Sequence, residues 1–93
     1  MNTITIGLCQ GRHDIPNVED YIFDTILNPF DQDALTRDVH QALAGADQVT
    51  LYVTGLTIAL GAVVAYCSTH QISLTLMHYN RDTNAYVPQV VLK

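Results

Sequence analysis

Two threonines around a glycine, Thr54-Gly55-Leu56-Thr57, stand between the apolar stretch Val49 to Val53 and a long apolar run. Where a strand passes straight into a helix, the first helical N–H groups lack intrahelical acceptors and point outward at the positive end of the dipole. Such a terminus receives anions, phosphates above all. Gly55 has no Cβ to hold a ligand off the backbone, and the hydroxyls of Thr54 and Thr57 can reach phosphate oxygens. The same hydroxyls serve equally as helix caps, with Gly55 only shaping the turn. The T-G-x-T pattern also lacks the lysine that makes a P-loop specific. Two readings of the junction stand side by side: an anion cradle and a plain helix start.

Three other short segments carry candidate chemistry. Arg12 and His13 lie in Gln10 to Asp14, after the first apolar stretch. The planar fork of Arg12 suits bidentate phosphate recognition; a surface pair with Asp14 is the other reading. His13 and Asp14 are sequence neighbours whose side chains point apart, so they form no dyad. His78 and Asn80 close the stretch that begins at Ile72. His78 alternates onto the apolar side of that stretch, at its open end, as a capping or a functional residue. His70 ends the long apolar run, where a cation complements a helix dipole. Four histidines at no recognised ligand spacing make no metal site. No Ser/His/Asp order, paired catalytic carboxylates or HExxH motif is present, so neither a metal nor a cofactor is expected.

Composition narrows the partners. Nine acidic residues face only Arg12, Arg37, Arg81 and Lys93, for a net charge of −5. Binding to bulk nucleic acid needs a basic face that releases counterions from several phosphates, and four scattered cations cannot supply one. A small anion held by backbone amides and one or two arginines remains compatible with this charge. Cys9 and Cys67 are far apart in apolar contexts, and read as reduced, buried thiols rather than as a disulfide framework. The N-terminus has no basic segment ahead of an apolar run, and a cytoplasmic location is expected. The run from Val49 to Cys67 is interrupted by Thr50, Thr54, Gly55 and Thr57, which argues against a membrane span of about 20 apolar residues. Ninety-three residues fit one domain; at that size only roughly 60–65% of the unfolded surface is buried, so a homo-oligomer, a dimer in the first instance, is expected.

The elements that must position these residues follow from periodicity. Thr3 to Leu8 alternates as a strand. Val18 to Leu27 reads as a helix ended by Asn28-Pro29. A second helix is capped by Asp31 or Asp33 and stopped by Gly45, with Ala34, Leu35, Val39, Ala42 and Leu43 inward and Arg37 and His40 on the wet side. Val49 to Val53 is a strand, Leu56 to Thr69 a helix apolar almost all round, and Ile72 to Tyr79 a strand. After a turn at Asn80 to Asn84, Ala85 to Leu92 returns antiparallel, and Pro88, with no N–H, makes it an edge. The expected fold is α/β and Rossmann-like, β-α-α-β-α-β-β, a four-stranded mixed sheet of three parallel strands and an antiparallel C-terminal edge strand. Ile4, Ile6 and Leu8, with Val49, Leu51 and Val53, and Ile72, Leu74 and Leu76, form one apolar face. The helices are therefore expected mainly on that face. The Thr-rich opposite face, with Tyr52 and Met77, is left for solvent or a second subunit. The Gln10–Asp14, TGLT and His78–Asn80 segments then meet at the carboxyl edge of the parallel strands, where α/β ligands bind.

Over residues 49–91 the chain resembles the small CRISPR-associated Rossmann-type (CARF) proteins and their ring-nuclease relatives. The resemblance rests on VTLYVTGLT, IALGAVVAYCSTH, ISLTLMHYN and NAYVPQVV. It implies binding of a cyclic oligoadenylate across a dimer, with Thr54, Gly55 and Thr57 on phosphates. It also implies a catalytic role for a histidine at the helix end, matched by His70 to within one residue, and for an aspartate after the tyrosine of the next strand. Asn80 occupies that second position and can be neither a general base nor a charged metal ligand, so binding is better supported than cleavage. The alternative from a different class is a structural or protein-interaction domain, a homodimer without a small-molecule site.

Overall fold

The computed structural model describes residues 2–10, 15, 18–23, 30–54 and 57–93. The chain order is β1 (Thr3–Cys9), β2 (Tyr21–Phe23), α1 (Gln32–Leu43), β3 (Gln48–Tyr52), α2 (Thr57–Thr69), β4 (Ser73–Asn80) and β5 (Ala85–Leu92). They build one five-stranded sheet in the order β2-β1-β3-β4-β5, an α/β architecture. β2, β1, β3 and β4 are parallel, and β5 runs antiparallel at the edge.

Each element has a local cause. The Asp31 side chain accepts a hydrogen bond from the Ala34 amide and Asp33 sits in the first turn, so two carboxylates meet the positive end of α1. Gly45 ends α1 at φ +83°, a left-handed conformation that glycine adopts without strain. The β4–β5 hairpin turns on Asn80, whose side chain accepts from the Asp82 amide, and on Asn84 at φ 53°.

Alternation along the strands places Ile6, Leu8, Val49, Leu51, Leu74 and Leu76 on one buried face, against Leu35, Val39 and Leu43 of α1 and Ala59, Val63 and Cys67 of α2. Both helices cover this face, and they touch each other there. The molecule is accordingly a slab of 35 × 32 × 20 Å, since one sheet and one helix layer stack to about 20 Å.

The expected four strands and three helices differ from this architecture at one place. Val18 to Leu27 was expected as a helix; Tyr21–Phe23 instead adds a fifth strand beside β1, while residues 24–27 lie outside the described residues. The spacing of Val18, Tyr21 and Ile22 fits a helix face, but Tyr-Ile-Phe is equally a strand-forming triplet. The free edge of β1 decides between them. Its polar groups find partners in this segment: the Gly7 amide donates to the Asp20 carbonyl and the Gln10 amide to the Phe23 carbonyl. Gly7 is required by the same contact. A Cβ there would run into the Tyr21 ring and lie 3.2 Å from Val18 Cγ1, on the face away from the helices. Ile15 is buried outside the main core. Val18 and Tyr21 thus lie on the helix-free side of β1.

Candidate functional site

The chain leaves β1 toward β2 on one side and leaves β3 toward β4 on the other. The carboxyl ends of β1 and β3 are therefore where successive connections part, the position at which open α/β sheets bind ligands. The two ends are stitched by one side chain. Thr54 Oγ1 donates to the Cys9 carbonyl at 2.6 Å, and the Cys9 amide donates back to the same oxygen at 3.1 Å. The hydroxyl acts as a substitute rung just past the last paired residues, Gly7 and Tyr52. A hydroxyl has one proton, and that of Thr54 is committed to Cys9.

Among the described residues, the donors at the junction besides Thr54 are the first-turn amides of α2 and the Thr57 hydroxyl. Thr57 is the first helical residue and is exposed, and the first turn of α2 contains no acidic residue. Gly55, together with Arg12 and His13 of the Gln10–Asp14 segment, lies outside the described residues.

The other predicted residues are brought to the sheet but given local partners. His78 lies on the helix side of β4, half-buried, with Nε2 2.7 Å from Gln89 Oε1 of β5. Asn80 caps its own turn, and the Tyr79 hydroxyl donates to Asn84 Oδ1 at 2.8 Å. His70 follows the last residue of α2. Since α2 has 13 residues at about 1.5 Å each, His70 and Thr57 are separated by roughly 20 Å and occupy opposite edges of the sheet. One chain does not bring His70 to the TGLT junction.

His70 belongs instead to a ring cluster that sequence reasoning missed. Its imidazole lies 4.2 Å from the Tyr66 ring centroid and 6.5 Å from that of His40, and His40 Nδ1 is 2.9 Å from the Tyr66 hydroxyl. Arg37 and His40 are exposed as expected, but the wet-side assignment of His40 hid its reach across to α2. Beside this cluster an open groove of about 420 Å³ runs between α1 and α2, lined chiefly by Leu35, Ile58, Gly61, Ala62 and Tyr66.

The second feature only partly foreseen is a tyrosine cluster on the helix-free face. Tyr52 and Tyr86 meet edge to face with centroids 4.8 Å apart, and Tyr79 and Tyr86 at 5.4 Å. Partial burial, then the neighbouring Tyr79, Tyr21 and Tyr52, raise the Tyr86 pKa. Alternation along β3 and β4 identified Tyr52 and Met77; the hairpin register, Tyr79 opposite Tyr86 and Met77 opposite Pro88, supplies the rest.

Cys9 is half-buried and Cys67 buried, and burial pushes the Cys67 thiol up to about 11. Among the described residues no group of three or more His, Cys, Asp or Glu side chains is placed to hold a metal ion, and no helix is long and apolar enough to cross a membrane. Compared with known proteins, the chain matches no family model, no curated protein and no solved structure.

Proposed function

We propose that this protein binds a small anionic ligand of the nucleotide class at the parting of β1 and β3, on the N-terminus of α2. The observation that carries the proposal is the coincidence of two features. The strand order β2-β1-β3-β4-β5 places the parting at Cys9 and Thr54, and the helix that starts there has no acidic residue in its first turn. In a chain with nine acidic residues, α1 neutralises its own dipole with Asp31 and Asp33, and α2 does not. A Rossmann-like use of the sheet edge follows, with first-turn amides and Thr57 as donors and Thr54 as the positioning residue that holds β1 and β3 together. Arg12, His13 and Gly55 are assigned to the same ligand by their place in the sequence, and the cyclic oligoadenylate implied by the CARF resemblance is one member of the class. With His70 at the far end of α2 and Asn80 in place of an acid, the reading is one of binding.

Calorimetry with cyclic oligoadenylates, mononucleotides and sulfate tests it, using Thr57→Glu as the discriminating variant. A glutamate in the first turn stabilises the helix, by roughly 0.3–1 kcal/mol, while setting a like charge against the ligand. Loss of binding with folding intact is expected. Silence of the wild type across the panel, or unchanged binding by Thr57→Glu, would overturn the proposal.

A further inference from the structure

We infer that the helix-free face of the sheet is the interface of a two-fold homodimer, in which two copies stack sheet against sheet to give a helix–sheet–sheet–helix particle. The inference is independent of the ligand proposal, because it concerns a different surface.

The face is defined by register. With Leu76 and Leu51 turned to the core, their neighbours Tyr52, Met77 and Pro88, which pair across β3, β4 and β5, point the other way, as do Tyr79, Tyr86 and Val90. Tyr79 and Val90 are 50% and 58% exposed. Tyrosine and methionine are residues that interfaces concentrate, and the edge-to-face contacts of Tyr86 with Tyr52 and Tyr79 fix these rings before any partner arrives.

Charge selects the partner. No charged residue lies within β1, β3, β4 or β5, and Lys93, directly after β5, is the one described charge beside this face, at its rim with Thr50, Thr75 and Val90. A single-stranded nucleic acid would also stack on tyrosines, but its phosphates would meet a single described cation, Lys93, at the rim of the face and a net charge of −5 overall. A strongly charged protein partner would bury unpaired charge. A second copy sets one surface of uncharged strand residues against another, with Lys93 left at the rim, the self-complementary arrangement of a two-fold interface.

Area sets the strength. Val18 and Tyr21 cover Gly7, so β3, β4, β5 and the start of β1, about 4.8 Å apart and roughly 23 Å long, give about 380 Å² in plan for each copy. Side-chain relief brings two such faces to about 1,000 Å², the range of weak interfaces. The dimer is thus expected to dissociate on dilution.

The competing arrangement, pairing of β5 with β5 of a second copy, is opposed by Pro88. The Val53 amide donates to the Met77 carbonyl at 3.0 Å, so the backbone groups of Met77 face β3. Its partner Pro88 then directs its nitrogen away from β4, to the outer edge, where the missing N–H blunts strand addition.

Sedimentation equilibrium of the whole chain across a wide dilution series, with hydrogen exchange, tests the inference. The wild type is expected as a concentration-dependent dimer. Val90→Glu, and independently Thr75→Lys, should each raise the dimer dissociation constant at least about 100-fold, because the two-fold axis sets the new charge near its own copy, with the circular dichroism unchanged. Val87→Glu, on the helix side of the same strand and 47% exposed, should leave it unchanged. The outward amides of Tyr86 and Val90 should exchange quickly in the dimer. A monomer at every concentration, an effect of Val87→Glu exceeding that of Val90→Glu and Thr75→Lys, or protection of those two amides would overturn it.

Discussion

The two helices cover the same face of one sheet and solve their local problems differently. α1 is amphipathic: Leu35, Val39 and Leu43 are buried, Arg37 and His40 exposed, and its N-terminus is capped by Asp31. α2 is apolar almost all round, with Ala59, Val63, Tyr66 and Cys67 buried, yet it still leaves Gly61 and Ala65 exposed and brings no carboxylate to its first turn. α1 is thus complete as folded. α2 is held by burial along its length, and its positive end meets no first-turn carboxylate. The difference separates a helix that neutralises its own dipole from one that does not.

Four substitutions or conditions sharpen this contrast, all read by urea denaturation at fixed protein concentration. The largest effect is expected at the centre of α2. Val63, fully buried against the sheet, should cost about 2–3 kcal/mol on truncation to alanine, through lost transfer energy and a residual cavity. An equally large loss for Arg37→Ala, on the exposed side of α1, would break the comparison.

Next comes alkali. The Cys67 thiol ionises near 9 in the unfolded chain and at about 11 in the folded one. Below pH 9 both states keep the proton and stability is flat. Between 9 and 11 the unfolded state loses it first, so stability falls as pH rises, by up to roughly 2 kcal/mol. The raised Tyr86 hydroxyl acts in the same direction at higher pH. Cys67→Ala should flatten the 9–11 limb; if the limb persists, its origin lies elsewhere.

Smaller still, Asp31→Ala removes the cap of α1 and should lower stability by about 1 kcal/mol. Thr57→Glu should raise it by about 0.5 kcal/mol, because α2 has no first-turn acid of its own. Responses of opposite sign at the two helix starts, the loss about twice the gain, support the contrast, and a destabilising Thr57→Glu would end it.

Much of the fold was legible in the residues. Period-two alternation in Thr3 to Leu8, Val49 to Val53 and Ile72 to Tyr79 placed three parallel strands with one apolar face, and Asp31, Gly45 and Pro88 marked a cap, a stop and an edge. Those signals are local: each rests on a side chain acting within a few residues of itself. β2 was not legible, because three residues carry too little periodicity to choose between helix and strand, and the choice was made by the open edge of β1, distant in sequence.

The candidate site divides along the same line. The sequence by itself determined that an apolar strand is followed by an apolar helix across Thr54-Gly55-Leu56-Thr57, that the net charge is −5, and that Tyr52 and Met77 share the sheet face opposite the apolar one. Only the tertiary structure decided that the Thr54 proton is used on Cys9, that His70 stands a helix length from Thr57 beside Tyr66 and His40, and that Tyr79 and Tyr86 join Tyr52. Hydrogen bonds between residues 45 apart in sequence and ring contacts between neighbouring elements depend on strand order and register. Composition and spacing do not contain them; the pairing of the sheet does.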